Sequence, residues 1–90
     1  MINMQIRLSS RFQRNYRKLP QKTKNQIKEK IIIFRKDPFD SCLKTHKLVG
    51  EETEAWAFWI TYSYRIKFIF LDKNQSNVLF LDVGTHDFYK

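Results

Sequence analysis

The sequence predicts an α+β domain: an N-terminal strand, a helical hairpin, then a twisted antiparallel sheet, in the order β-α-α-β-β-β. Three observations lead there. Apolar residues recur at helical spacing on both sides of Pro20. From Ala55 onward the chain alternates apolar and polar residues with period two, the spacing that puts strand side chains on opposite faces. The breaks between these runs are proline, glycine or polar clusters, the residues that turns select. Ninety residues make one domain spanning 1–90, and 42% apolar with 16% aromatic residues can fill its core.

Asn3–Leu8 alternates Met4, Ile6 and Leu8 with Asn3, Gln5 and Arg7 and reads as a short strand. Ser9 or Ser10 then caps a helix, because a serine oxygen can accept from an unpaired amide of the first turn. Phe12, Tyr16 and Leu19 form its stripe at i, i+4 and i+7. Pro20 ends this helix and permits the next, which runs from Gln21 to Arg35. Its stripe is Ile27, Ile31 and Phe34, widened by Ile32 and Ile33, and Asp37-Pro38 stops it. Lys44–Val49 is a strand or an extended loop, and Gly50-Glu51-Glu52 a turn.

Three strands are predicted next, over Ala55–Thr61, Tyr62–Leu71 and Asn77–Val83. Trp56, Phe58 and Ile60 oppose Ala57, Trp59 and Thr61. In the middle strand Tyr64, Ile66, Phe68 and Phe70 oppose Ser63, Arg65, Lys67 and Ile69. One sheet face is therefore apolar and wants a cover of helices. The other holds two cations in mid-strand, where a charge is costly unless it meets water or an anion. Gly84 is expected to break the last strand before Thr85 and His86.

The net charge is +8 and uneven: 13 Lys/Arg against 3 Asp/Glu through Leu48, then 4 against 6. Such a balance points to a polyanion or an acidic protein partner, with a solubilising surface as the alternative. One cysteine, Cys42, excludes an internal disulfide, and two histidines forty residues apart form no metal motif. No cofactor is expected, nor a glycine-rich phosphate loop in a chain with two glycines. No run approaches a membrane span or a signal peptide, so a cytoplasmic location is expected.

Arg65 is the most informative residue. A guanidinium on a rigid strand either holds a phosphate by two parallel hydrogen bonds or pairs with a carboxylate such as Asp82 on the next strand. His86 and His46 can exchange protons near neutrality or be plain surface residues. Tyr89 can stack on a base or close the core, and Trp59 offers the same pair of readings.

The segments His46-Lys47-Leu48-Val49-Gly50, Trp56, Tyr64-Arg65-Ile66 and Val83-Gly84-Thr85-His86-Asp87, with Leu19-Pro20 and Asp37-Pro38-Phe39 before them, resemble the RelE/ParE superfamily of type II toxins over nearly the whole chain. The resemblance implies two helices on a RelE-like sheet and a cognate acidic antitoxin. It also implies a toxin acting as a ribosome-dependent mRNA endoribonuclease or, on the ParE branch, as a non-enzymatic inhibitor of DNA gyrase. Carried over by position, Arg65 is the arginine near the scissile phosphate, His86 the leading candidate general acid and His46 a candidate base; Tyr89 resembles the terminal aromatic, which usually lies one residue further from the histidine, so that either Phe88 or Tyr89 fills that place. Lys44, Lys47 and Lys67 are the expected RNA contacts. This chain departs from the YafQ-like pattern at Trp59, where a histidine is usual, and at Ser63, where an aspartate is. Those departures leave His46 as the best remaining base and Glu54 as a weaker one.

Overall fold

Helix formation starts at Ser9, whose extended backbone (φ −70°, ψ 162°) and side-chain oxygen, accepting the Phe12 amide at 3.0 Å, begin the first helix. The computed structural model describes residues 4–50 and 54–85; Asn3 and Glu51-Glu52 of the expected strand and turn lie outside them. Strand β1 (Gln5–Leu8) leads into α1 (Ser10–Arg17), with Arg14 and Arg17 in the last turn, where cations suit the helix dipole. Pro20 is extended and opens α2 (Gln21–Lys36), which Asp37 ends in extended backbone ahead of Pro38.

A single 3-10 turn, Ser41–Leu43, is closed by Lys44 in the left-handed region at φ 50°. The undecided segment that follows is a two-residue strand, β2 (His46–Lys47). Then come β3 (Trp56–Trp59), β4 (Tyr64–Phe70) and β5 (Asn77–Thr85). Three boundaries differ from expectation. α1 stops at Arg17, capped by Lys18, so Leu19 packs from the connection ahead of Pro20 and not from the helix. The expected strands met at Thr61 and Tyr62, whereas Ile60 to Ser63 form the connection between β3 and β4. Gly84 does not break β5; it sits inside the ladder opposite Arg65.

The sheet order is β1-β5-β4-β3-β2. β2 to β5 are antiparallel as expected, while β1 runs parallel to β5 at the sheet's edge, so the sheet is mixed. Both helices cover one face. Phe34 of α2 is fully buried and meets Phe58, Phe68 and Phe80, one from each of β3, β4 and β5, at ring separations of 4.5, 5.0 and 5.6 Å. Phe12 of α1 reaches Phe80 at 5.5 Å. Edge-to-face and offset contacts of this kind add to burial. Ile27 is buried with them and Ile31 and Ile33 pack at the rim, but Ile32 is 59% exposed and takes no part in the stripe.

β5 carries a register shift opposite Lys67/Phe68: Phe68 faces Phe80, yet Lys67 faces Asp82. Leu81 is the extra residue, and a bulge of this kind inverts the facing of everything after it. Val78 and Phe80 before the shift and Val83 after it are therefore all buried, although strict alternation puts Val83 on the other face. The same shift leaves Asp82 and Gly84 on the uncovered face, beside Lys67 and Arg65.

Candidate functional site

The uncovered face is organised by cross-strand register. One row runs His46, Ala57, Lys67, Asp82 across β2 to β5; the next holds Trp59, Arg65 and Gly84. Rows two residues apart lie about 6.6 Å from each other, and neighbouring strands about 4.8 Å. Ala57 leaves only a methyl group between His46 and Lys67.

Arg65 is 4% exposed. Its Nη1 donates to the carbonyls of Thr61 at 2.8 Å, Tyr64 at 3.4 Å and, at short range, Tyr62. The guanidinium carbon lies 3.9 Å from the centre of the Trp59 ring and 5.9 Å from that of Tyr62. Arg65 Nε is buried with no hydrogen-bond partner, and among the described residues no carboxylate pairs with the side chain. The Asp82 alternative therefore fails. Asp82 stands one row away and accepts from Asn15 of α1 at 2.6 Å and from the Val83 amide at 2.8 Å. Carbonyl dipoles orient a guanidinium but do not cancel its charge, and among the described residues no carboxylate neutralises it.

Three further candidates share this face. Lys44, held by its left-handed backbone, places Nζ 5.4 Å from the centre of the same Trp59 ring. Lys67 stands one row along β4 from Arg65. His46 is half-buried, with Nδ1 2.9 Å from the Lys44 carbonyl oxygen, which lies within its own short segment. Lys47 does not join them: alternation turns it to the other side of β2, where Nζ lies 3.4 Å from Glu54. That ion pair also occupies Glu54, the weaker candidate base, away from the Arg65 row. His86 and Tyr89 lie outside the described residues.

The sequence does not mark two residues of the site as partners of Arg65: Trp59, for which it offers only a base platform or packing, and Tyr62. The missing information was the turn length. With Ile60–Ser63 as the connection, Trp59 falls opposite Arg65; with strands meeting at Thr61/Tyr62 it does not. Among the described residues no three His, Cys, Asp or Glu side chains group to hold a metal, and no helix is long and apolar enough to cross a membrane.

No protein-family model matches the chain, and no curated protein sequence matches it either. Solved structures do. The YoeB/ParE toxin from Agrobacterium tumefaciens superposes with a TM-score of 0.76 at 16% identity, covering 92% of this chain and 99% of that one. The archaeal RelE-RelB complex from Pyrococcus horikoshii OT3 gives 0.73 at 14%, covering 94% and 96%. The Escherichia coli DinJ-YafQ toxin-antitoxin complex gives 0.72 at 21%, covering 96% of each. Identities this low speak to architecture alone: the chain has the fold of the RelE-, YoeB- and YafQ-type toxins.

Proposed function

We propose that this chain is the toxin of a type II toxin-antitoxin pair and that it cuts mRNA on the ribosome. The observation that carries the reading is Arg65: a positioned guanidinium, held by carbonyls and an indole and, among the described residues, by no carboxylate, on a cationic sheet face. Proteins of the same fold have been solved as RelE-RelB and DinJ-YafQ complexes, which supports an antitoxin as the partner. An acidic antitoxin suits a half-chain carrying 13 Lys/Arg against 3 Asp/Glu.

The proposed reaction is attack of a ribose 2′-oxygen on the adjacent phosphorus. The new O–P bond forms as the bond to the 5′-oxygen breaks, leaving a 2′,3′-cyclic phosphate and a 5′-hydroxyl. Arg65 offsets the charge that builds on the phosphoryl oxygens, helped by Lys44 or Lys67. His46 takes the 2′-hydroxyl proton, and His86 returns a proton to the departing 5′-oxygen. Tyr89 contacts the substrate as the terminal aromatic. The ribosome supplies orientation, which alone can account for much of the acceleration.

Arg65→Gln and Arg65→Lys test this. Both keep a donor for the turn carbonyls, and both lose the planar fork that grips two oxygens. We expect each to lift growth arrest and to reduce 5′-hydroxyl ends on transcripts at least about 100-fold, with melting close to the native protein. Full toxicity in folded variants excludes the nuclease reading. Arrest without cut transcripts but with lost DNA supercoiling identifies a gyrase inhibitor instead.

A further inference from the structure

We infer that Trp59 is the positioning residue that decides which edge of the Arg65 guanidinium meets a phosphate. This rests on the phosphate role proposed for Arg65. A guanidinium presents five N–H donors in one rigid plane. The Thr61, Tyr62 and Tyr64 carbonyls take Nη1, so the group cannot turn within its plane without giving up those bonds. The indole 3.9 Å away holds the plane against tilting, by the attraction between a cation and an aromatic face. What remains is the Nε/Nη2 edge. Nε is buried and without an acceptor, and no hydrogen bond engages Nη2 among the described residues. Two parallel donors on one edge match two oxygens of a phosphodiester.

Trp59 does a second thing a simple packing residue does not. Lys44 Nζ lies 5.4 Å from the centre of the same ring, so one indole draws two cations together. A strand residue with no titratable group thus contacts two of the charged ones.

The test is a series at Trp59 in purified protein, cleaving mRNA on programmed ribosomes. Trp59→Phe keeps an aromatic face, while Trp59→Leu keeps apolar bulk and lacks one. A positioning role predicts that Trp59→Phe stays within about threefold of the native rate. Trp59→Leu should lose roughly 10- to 100-fold in the saturated rate, with the half-saturating ribosome concentration nearly unchanged. A second readout does not depend on cleavage. In a Trp56→Phe background Trp59 is the sole indole, and its emission should shift when inorganic phosphate is added; adding Arg65→Gln should abolish the shift. Trp59→Leu cutting at the native rate overturns the inference, and so does a phosphate titration without any shift. Equal losses of rate, affinity and melting temperature in the Phe and Leu variants overturn it too, since they describe plain packing. Should Arg65→Gln itself cut normally, the phosphate reading has failed; should only Trp59→Leu cut normally, Arg65 stands and Trp59 does not.

Discussion

Asp72 and Arg65 show two ways a charged side chain can organise a hairpin connection. Asp72 begins the β4–β5 loop and accepts from the Ser76 amide at 2.9 Å, Ser76 Oγ at 2.6 Å, the Asn77 amide at 3.2 Å and Asn77 Nδ2 at 2.9 Å. Hydrogen bonds from Ser76, then from Asn77, favour the ionised carboxyl and lower its pKa from 3.8 to about 2. A depressed carboxyl stabilises the fold fully above its unfolded value and loses that contribution as pH falls through the folded one. Native protein and Asp72→Asn should therefore differ in melting temperature at pH 6, and the gap should close between about pH 4 and 2. A gap unchanged at pH 2 contradicts this. Arg65 works the other way round, donating into the connection between β3 and β4. Its importance was visible from a cation in mid-strand; its partners were not, because they depend on how many residues the turn uses.

At the level of elements, caps and breakers followed the local rules. Ser9 starts α1, Pro20 opens α2 and Asp37-Pro38 ends it where their backbone preferences dictate, while α1 itself stops earlier, at Arg17. Ser9 has a tertiary duty as well: its hydroxyl donates to the Leu81 carbonyl at 2.7 Å, tying the start of α1 to the β5 bulge. Ser9→Ala removes a cap and leaves a carbonyl short of a donor, so a loss of about 1–2 kcal/mol in denaturant unfolding is expected. Ser9→Gly should recover part of the cap's share only. A loss under about 0.3 kcal/mol for Ser9→Ala assigns the helix start elsewhere. The bulge itself had no local sign. Leu81 is apolar like its neighbours, and only the pairing of Phe68 with Phe80 and of Ile66 with Val83 makes it the extra residue. Gly84 departs from expectation for a related cause: glycine weakens a strand in isolation, but here it is paired with Arg65 of β4.

For the molecule as a whole, charge and core are divided between the two sheet faces. The aromatic cluster around Phe34 fills one side, and Lys44, Arg65 and Lys67 stand on the other. A polyanion held by such a face should bind with strong salt dependence, since each phosphate contact made to a single strand contributes about −0.7 to the slope of log K against log salt. Replacing both Lys44 and Lys67 should reduce that slope by about 1.4 for a single-stranded RNA oligonucleotide. Lys44→Gly suits this purpose, because glycine accepts the left-handed backbone at φ 50°. Lys47→Ala, on the other side of β2 beside Glu54, should leave the slope alone. Equal effects from all three sites would falsify the assignment of faces.

The amino-acid sequence determined what depends on neighbours within one turn or one strand. That covers the start of α1 and both ends of α2, the apolar and cationic sides of β4, the basic first half, and a cysteine count too low for an internal disulfide. Those properties follow from backbone preference, periodicity and charge, which act over a few residues. The tertiary structure decided the parallel placement of β1, the inversion at Leu81, the separation of Lys47 from Lys44, and the meeting of Trp59 with Arg65. Each depends on the register between strands. Register is set when the whole apolar set is buried at once against α1 and α2, so no single stretch of the chain contains it.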